Sequence, residues 1–265
     1  MKLEVNIIDA FTDTVFKGNP AAVIITKSWL DKSLMQSIAL ENNLSETAFL
    51  VMDETGTYQI RWFSPITEID FCGHATLASA FVIFNKNPEL CAIKFSAKAV
   101  GVLPVIKTES GKIQMDFPNT NPEKVKTIPD KLKSGLSIEP VEVYRNSQAY
   151  FAVYETEHEV LSVLRDNESL MNLKPFDVVV TCKAESNKYD FISRYFWPAN
   201  GGDEDPVTGS IHTGLAPFWA KRLGKNELVA YQASSRGGLL NCIVMGDRVL
   251  ISGTAIQYLE GTIVV

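Results

Sequence analysis

Two segments of this chain read alike. The first, YQIRWFSPITEIDFCGHATLASAF, begins at Tyr58, and the second, YDFISRYFWPANGGDEDPVTGSIHTGLAPFW, begins at Tyr189. Arg61, Phe63 and Pro65 are matched 133 residues later by Arg194, Phe196 and Pro198, and after a three-residue insertion Gly73 meets Gly209 at a spacing of 136. That spacing persists: AIKFSA from Ala92 falls on LVAYQA from Leu228, and KIQMDF from Lys112 on RVLISG from Arg248. A recurring order of strand, polar loop, glycine, helix and strands points to two similar halves of roughly 120 to 130 residues, each large enough for its own core.

The periodicities place the elements. Alternation such as KIQMDF marks a strand with one face on a core, whereas ATLASAFVIF is apolar on every side and suits a helix enclosed by a curved sheet. The first half reads as strands near 3–9, 21–26, 47–52, 57–63, 91–97, 101–107 and 112–117, with helices near 28–41 and 74–85. The second half repeats this, with helices near 158–171 and 209–223. Residues 119–140 are rich in Pro, Lys and Asn and poor in large apolar groups, as a linker would be. The expected class is α+β: lobes over 1–118 and 141–265, each a curved, mostly antiparallel sheet around a central helix, with a terminal strand able to cross between them.

Composition narrows the function. With 46% hydrophobic and 21% charged residues, a chain of 265 residues is globular rather than disordered. The net charge of −6 is spread along the chain, and no basic stripe with interleaved aromatics tracks a phosphate backbone, so nucleic acid is not an expected partner. No apolar run approaches the ~20 residues of a membrane span, and the start MKLEVNIIDAF lacks the pattern of a signal peptide. Cys72, Cys91, Cys182 and Cys242 show neither CxxC spacing nor the density of a secreted scaffold. Reduced thiols and a cytoplasmic location are the expectation.

The polar residues ahead of the enclosed helices carry the chemistry. CGHAT and PVTGS each put a glycine and hydroxyl residues at a helix start, where the first backbone N–H groups lack partners and an anion is attracted. Capping is the plain alternative at either end. Gly73, Gly209 and Ser210 are the candidates for holding a substrate carboxylate. Glu46, in NNLSETAFLV, sits between a helical stretch and a strand, either as a turn residue or as a base kept in a cleft.

DAFTDTVFKGNPAAVI, LSETAFLV, FCGHATLASAFVI and GGDEDPVTGS together resemble the PhzF family, the phenazine-biosynthesis isomerase-like proteins, over nearly the whole chain. The resemblance implies the two-lobed fold shared with diaminopimelate epimerase and proline racemase, an active site between lobes, and a homodimer. It further implies cofactor-free proton transfer between carbons of a small acid, dihydro-3-hydroxyanthranilate in the phenazine enzyme. By the motif match the proton shuttle falls on Glu46, with supporting roles for His74, Asp205 and Ser210. The chemistry is self-consistent, because removing a proton from carbon needs a nearby base and somewhere for the developing charge to spread.

Spacing argues against other readings. GSIHTG has the glycine separation of a phosphate loop but is followed by Leu215 and Ala216 rather than Lys and Ser or Thr. A two-thiol racemase lacks a second cysteine to face Cys72, leaving a one-thiol epimerase or core packing for that residue. Cys72, His74 and the acidic loop form no compact metal-ligand pattern, so no metal is expected. His158 reads as a surface residue and His212 as part of a helix wall. A non-catalytic interaction protein retaining the fold is the alternative of a different class.

Overall fold

The computed structural model describes residues 1–265, and the chain forms two compact lobes. The first comprises Met1–Asp116 and Ser252–Val265, the second Phe117–Ile251. The first lobe runs β1 (Lys2–Ala10), β2 (Asn19–Thr26), α1 (Lys32–Asn42), β3 (Glu46–Met52), β4 (Tyr58–Phe63), β5 (Glu68–Ile69), α2 (Gly73–Lys86), β6 (Ala92–Ala97), β7 (Gly101–Lys107) and β8 (Ile113–Pro118). After β9 (Glu123–Lys124) and α3 (Asp130–Gly135), the second lobe continues with β10 (Glu142–Arg145), β11 (Ala149–Val153), α4 (Glu157–Ser162), α5 (Asn167–Met171) and β12 (Asp177–Lys183). There follow β13 (Phe191–Phe196), β14 (Glu204–Asp205), α6 (His212–Leu223), β15 (Glu227–Gln232), β16 (Gly238–Met245) and β17 (Arg248–Gly253), and the chain ends in β18 (Ala255–Val264).

The pairings repeat from lobe to lobe. In the first, β1–β2 and β3–β4 are antiparallel while β2–β3 and β4–β6 are parallel. In the second, β10–β11 and β12–β13 are antiparallel while β11–β12 and β13–β15 are parallel. The sequence repeat is thus a topological one, and the α+β class of two similar sheet-and-helix lobes holds.

α2 is enclosed as its composition requires. Its residues from Gly73 to Ala80 are all buried, and it packs on β1, β2 and β3. Residues such as Leu77, fully buried, each contribute roughly 1.5–3 kcal/mol of apolar burial, which outweighs the absence of a side-chain cap at its start. The opposite face of this sheet carries α1, with Ala22, Ile24, Met35, Ile38, Phe49 and Phe63 in one core. Alternation therefore sorts each strand: Ala22, Ile24 and Phe49 point to α1, and Ala21, Val23, Glu46 and Ala48 to the side of α2.

Three expectations change. Residues 119–140 do not hang free, because Leu132 and Leu136 are buried in the second lobe's core. The helix expected over 158–171 is two short ones, α4 and α5, the first closed by a capping box between Thr156 and Glu159. The helix expected from Gly209 begins at His212, since residues 209–211 form a turn in which Ser210 O accepts from the Thr213 amide. The last strand, β18, pairs with β1 in the first lobe.

Candidate active site

The parallel pairing of β2 with β3 brings the two strand starts to the same end of the first lobe's sheet. Ala21 lies opposite Glu46, so Asn19, two residues earlier, shares Glu46's face. α2 packs on that face, and its first turn adds Cys72 and His74. His74 Nε2 stands 2.9 Å from Glu46 Oε2, the His74 side chain being 6% and that of Glu46 13% exposed. The contact is close but oblique: Glu46 Oε2 is buried with no donor aligned on it. Cys72 Sγ lies 3.5 Å from His74 Nδ1 and 3.9 Å from Nε2.

The carboxamide of Asn19, fully buried, stands with Nδ2 3.0 Å from His74 Nδ1. A carboxamide serves either protonation state of the ring, its nitrogen donating to a bare Nδ1 and its oxygen accepting from a protonated one. Burial works against a charged imidazole at His74, but the neighbouring Cys72 sulfur and Glu46 carboxylate overcome it and hold the pKa well above the ordinary range. Burial also pushes the Cys72 thiol up to about 11, the Glu46 charge adding to the rise and His74 opposing it. At neutral pH the sulfur is therefore a thiol without charge, which leaves the Glu46 carboxylate as the group that raises His74.

Glu46, Cys72 and His74 offer ligand atoms within 4.8 Å of one another. A cation bridging them would have to displace the contacts that both imidazole nitrogens already make with Glu46 and Asn19. The metal-like cluster joins Cys72 and His74 to Glu46 rather than to the acidic loop.

The other expected site residues belong to the second lobe. Asp205 Oδ2 accepts from the Thr208 hydroxyl, and Gln232, fully buried, fixes the same loop by donating to Asp205 O at 2.8 Å and accepting from the Thr208 amide at 2.9 Å. Ser210 Oγ accepts from Gln148 Nε2 at 2.9 Å. Gly209 is buried in the turn between them, while Gly73 is the first residue of α2. His212, fully buried, donates from Nδ1 to Thr208 O at 2.8 Å, and burial lowers its pKa to about 4. It is a wall residue and neutral; His158 is exposed.

Sequence reasoning missed Asn19, although it quoted the motif KGNPAAVI that contains it. The available signal was a polar residue leading a strand otherwise apolar through Ile25. Gln148 and Asp177, which lie outside the motifs around the helix starts, and Tyr195, which lies in strand β13 of the second repeat, were missed as well.

A family model described as phenazine biosynthesis-like protein matches residues 8–261. An uncharacterized isomerase of Pseudomonas aeruginosa is 46% identical over 263 residues, covering 99% of each chain. One from Halalkalibacterium halodurans is 44% identical over 98% of each. Among solved structures, a PhzF-family protein from Enterococcus faecalis superposes with a TM-score of 0.94 at 42% identity over the whole of both chains. A hydroxyproline epimerase from Agrobacterium vitis, at 10% identity and a TM-score of 0.60 over 99% of this chain and 92% of its own, shares the fold alone. Matches of this length and identity mean that the chain belongs to the phenazine-biosynthesis-like, or PhzF, family and is an isomerase of that family.

Proposed function

We propose that this isomerase moves a proton between carbon atoms of a small, carboxylate-bearing cyclic or unsaturated amino or hydroxy acid, without a cofactor, and that Glu46 carries the proton. The observation that supports this most is the Glu46 carboxylate itself, mostly buried and held through Oε2 at 2.9 Å from His74 Nε2. With Oε2 turned to His74, Oε1 is the oxygen left for a carbon acid. Glu46 takes the proton, the bonding pair stays on the substrate and spreads toward its carboxylate, and the Glu46 carboxyl then delivers the same proton to a second carbon. His74 keeps the carboxylate in place and supplies a positive charge beside it. Gly73, Gly209 and Ser210 are proposed to bind the substrate carboxylate, and Asp205 an amine or hydroxyl of the same molecule. The chain's four cysteines are free thiols, which supports the cytoplasmic location we propose; a homodimer is proposed from the family resemblance.

A one-thiol mechanism through Cys72 is disfavoured by the thiol's rise to about 11, which leaves little thiolate at neutral pH. The discriminating experiment is turnover measured in heavy water, where delivery of the same proton leaves the product without deuterium and exchange at the carboxyl labels it. Dihydro-3-hydroxyanthranilate and a panel of cyclic amino and hydroxy acids are incubated with wild type, Glu46→Gln and Cys72→Ser. Proton transfer by Glu46 requires a loss on the order of a hundredfold or more in Glu46→Gln with the melting temperature held, and little change in Cys72→Ser. Survival of turnover within a few-fold in Glu46→Gln would remove the shuttle, and no turnover of any acid by wild type would favour the interaction-protein reading.

A further inference from the structure

The strand registers identify a second-lobe counterpart of Glu46. Thr47 pairs with Phe63, and Val178 pairs with Phe196. Phe63 and Phe196 are equivalent in the sequence repeat. The residue before Thr47 is Glu46, and the residue before Val178 is Asp177. The parallel pairings agree: Ala21 lies opposite Glu46, and Ala149 opposite Asp177. By the spacing of 136 that relates Gly73 to Gly209, the counterpart of His74 is Ser210. The first lobe thus joins a carboxylate directly to its helix-start residue. In the second lobe the two are connected by a chain of hydrogen bonds.

That chain has one direction. Asp177 is buried, and its Oδ1 accepts from Asn200 Nδ2 at 2.8 Å while its Oδ2 accepts from the Tyr195 hydroxyl at 2.6 Å. Asn200 Nδ2 also donates to Pro175 O at 3.2 Å, which identifies that end of the carboxamide as the nitrogen. Burial raises the pKa of Asp177, but the Tyr195 and Asn200 donors oppose the rise and favour the carboxylate, which can only accept the single proton of Tyr195. The Tyr195 oxygen must then accept from its remaining neighbour, so Gln148 turns its NH2 group toward it, at 3.0 Å. The other hydrogen of the same NH2 group goes to Ser210 Oγ at 2.9 Å. Ser210 therefore accepts from Gln148, and its own hydrogen finds no acceptor within the protein.

We propose that Asp177, Tyr195 and Gln148 are positioning residues that hold the Ser210 hydroxyl as a donor, so that the ligand group bound at Ser210 is an acceptor, with an anionic one such as a carboxylate preferred. This rests on the reading of Ser210 as a substrate-binding residue and gives it a chemical selectivity. Without the chain, Ser210 could donate to Gln148 Oε1 and receive a ligand N–H equally well. With it, an amide must present its oxygen to the Ser210 hydrogen and forgoes the charge that strengthens a carboxylate's bond there.

The test compares anthranilate with its neutral carboxamide, 2-aminobenzamide, by calorimetry against wild type, Ser210→Ala, Tyr195→Phe and Gln148→Glu, with melting temperatures alongside. Wild type is expected to prefer the acid by about tenfold or more, and Ser210→Ala to bind it several-fold more weakly. Tyr195→Phe frees Gln148 to turn its oxygen to Ser210, and the acid-to-amide ratio should fall toward one. Should that variant fail to fold, Gln148→Glu makes the same measurement at a half-buried loop position: its carboxylate takes the Ser210 proton, and the preference for the acid should vanish or reverse. If Ser210→Ala weakens anthranilate binding while both chain variants keep the wild-type ratio, the positioning chain is refuted and the Ser210 site stands. If wild type binds neither compound, or Ser210→Ala binds as wild type does, the Ser210 site and the proposal built on it both fall.

Discussion

His74 and His212 show how one residue type at comparable burial takes opposite charge states. Both sit in the first turn of an enclosed helix, and burial alone lowers the pKa of each. His74 faces the Glu46 carboxylate and the Cys72 sulfur and is raised. His212 has the Thr208 carbonyl as its partner and falls to about 4. Between that value and the unfolded value of about 6.5, the unfolded chain takes up a proton that the folded chain refuses. The stability His212 permits is complete above pH 6.5 and is lost as pH falls toward 4, by roughly 3 kcal/mol. His212→Asn keeps a donor for Thr208 O but does not titrate, so denaturant melts from pH 7 to pH 4 should show a shallower loss in the variant; parallel curves would show that His212 is protonated in the fold. Residue identities were legible where a motif frames them, as LSETAFLV frames Glu46 and CGHAT frames His74. Asn19 and Asp177 were not, because their partners are set by strand register, and register is a property of pairs of segments rather than of either one.

At the scale of elements, the candidate site depends on how the chain enters β2. Asn19 reaches His74 only because Gly18, at φ +65°, turns the chain there, and a Cβ on Gly18 would meet the Ala10 carbonyl oxygen at 2.1 Å. That oxygen is backbone and cannot swing away. Gly18→Ala should therefore cost well over 1 kcal/mol and displace Asn19, whereas Gly56→Ala, at φ +81° with nothing within 4 Å, should cost only about 1 kcal/mol of conformational strain. Chemical denaturation compares the two, and the ring nitrogen shifts of His74 report whether its Nδ1 partner has moved. Equal costs with His74 unchanged in both would mean that the turn before β2 yields without effect on the site. Strand positions were legible from alternation, and α2 from its uniform apolarity. The α4–α5 break at Val163–Asp166 was not, because the apolar spacing of VLSVL continues past the end of the hydrogen-bonded turn.

At the scale of the whole molecule, each lobe completes its sheet with a strand that follows the other repeat in the chain. β9, which comes directly after the first repeat, pairs with β10, and β18, which comes after the second, pairs with β1. The equivalence is topological, but the sizes differ: β9 has two residues, and β18 pairs from Lys2↔Val264 to Ala10↔Ala255 with one irregularity at Ile7 and Ile8. Sequence showed two halves and the chance of a crossing strand; which strand crosses depends on pairing between the chain's two ends, where no local pattern reports it. Much of β18 is exposed, including Tyr258 at 52% and Val264 at 77%, so its contribution lies in backbone pairing with β1 more than in apolar burial. A ladder of this length holds several hydrogen bonds at roughly 0.5–1.5 kcal/mol net each, a large share of the 5–15 kcal/mol that a whole domain typically has. Removing it also turns β1 into a long open edge that invites pairing between molecules. Deletion of residues 255–265 should accordingly leave the first lobe unfolded or the protein aggregated. Amide exchange should show lost protection across β1 and β2 before any loss in β11 and β12. A truncated chain that stays dispersed, with β1 amides protected as in wild type, would show that β2 and the enclosed α2 hold β1 in place without its outer partner.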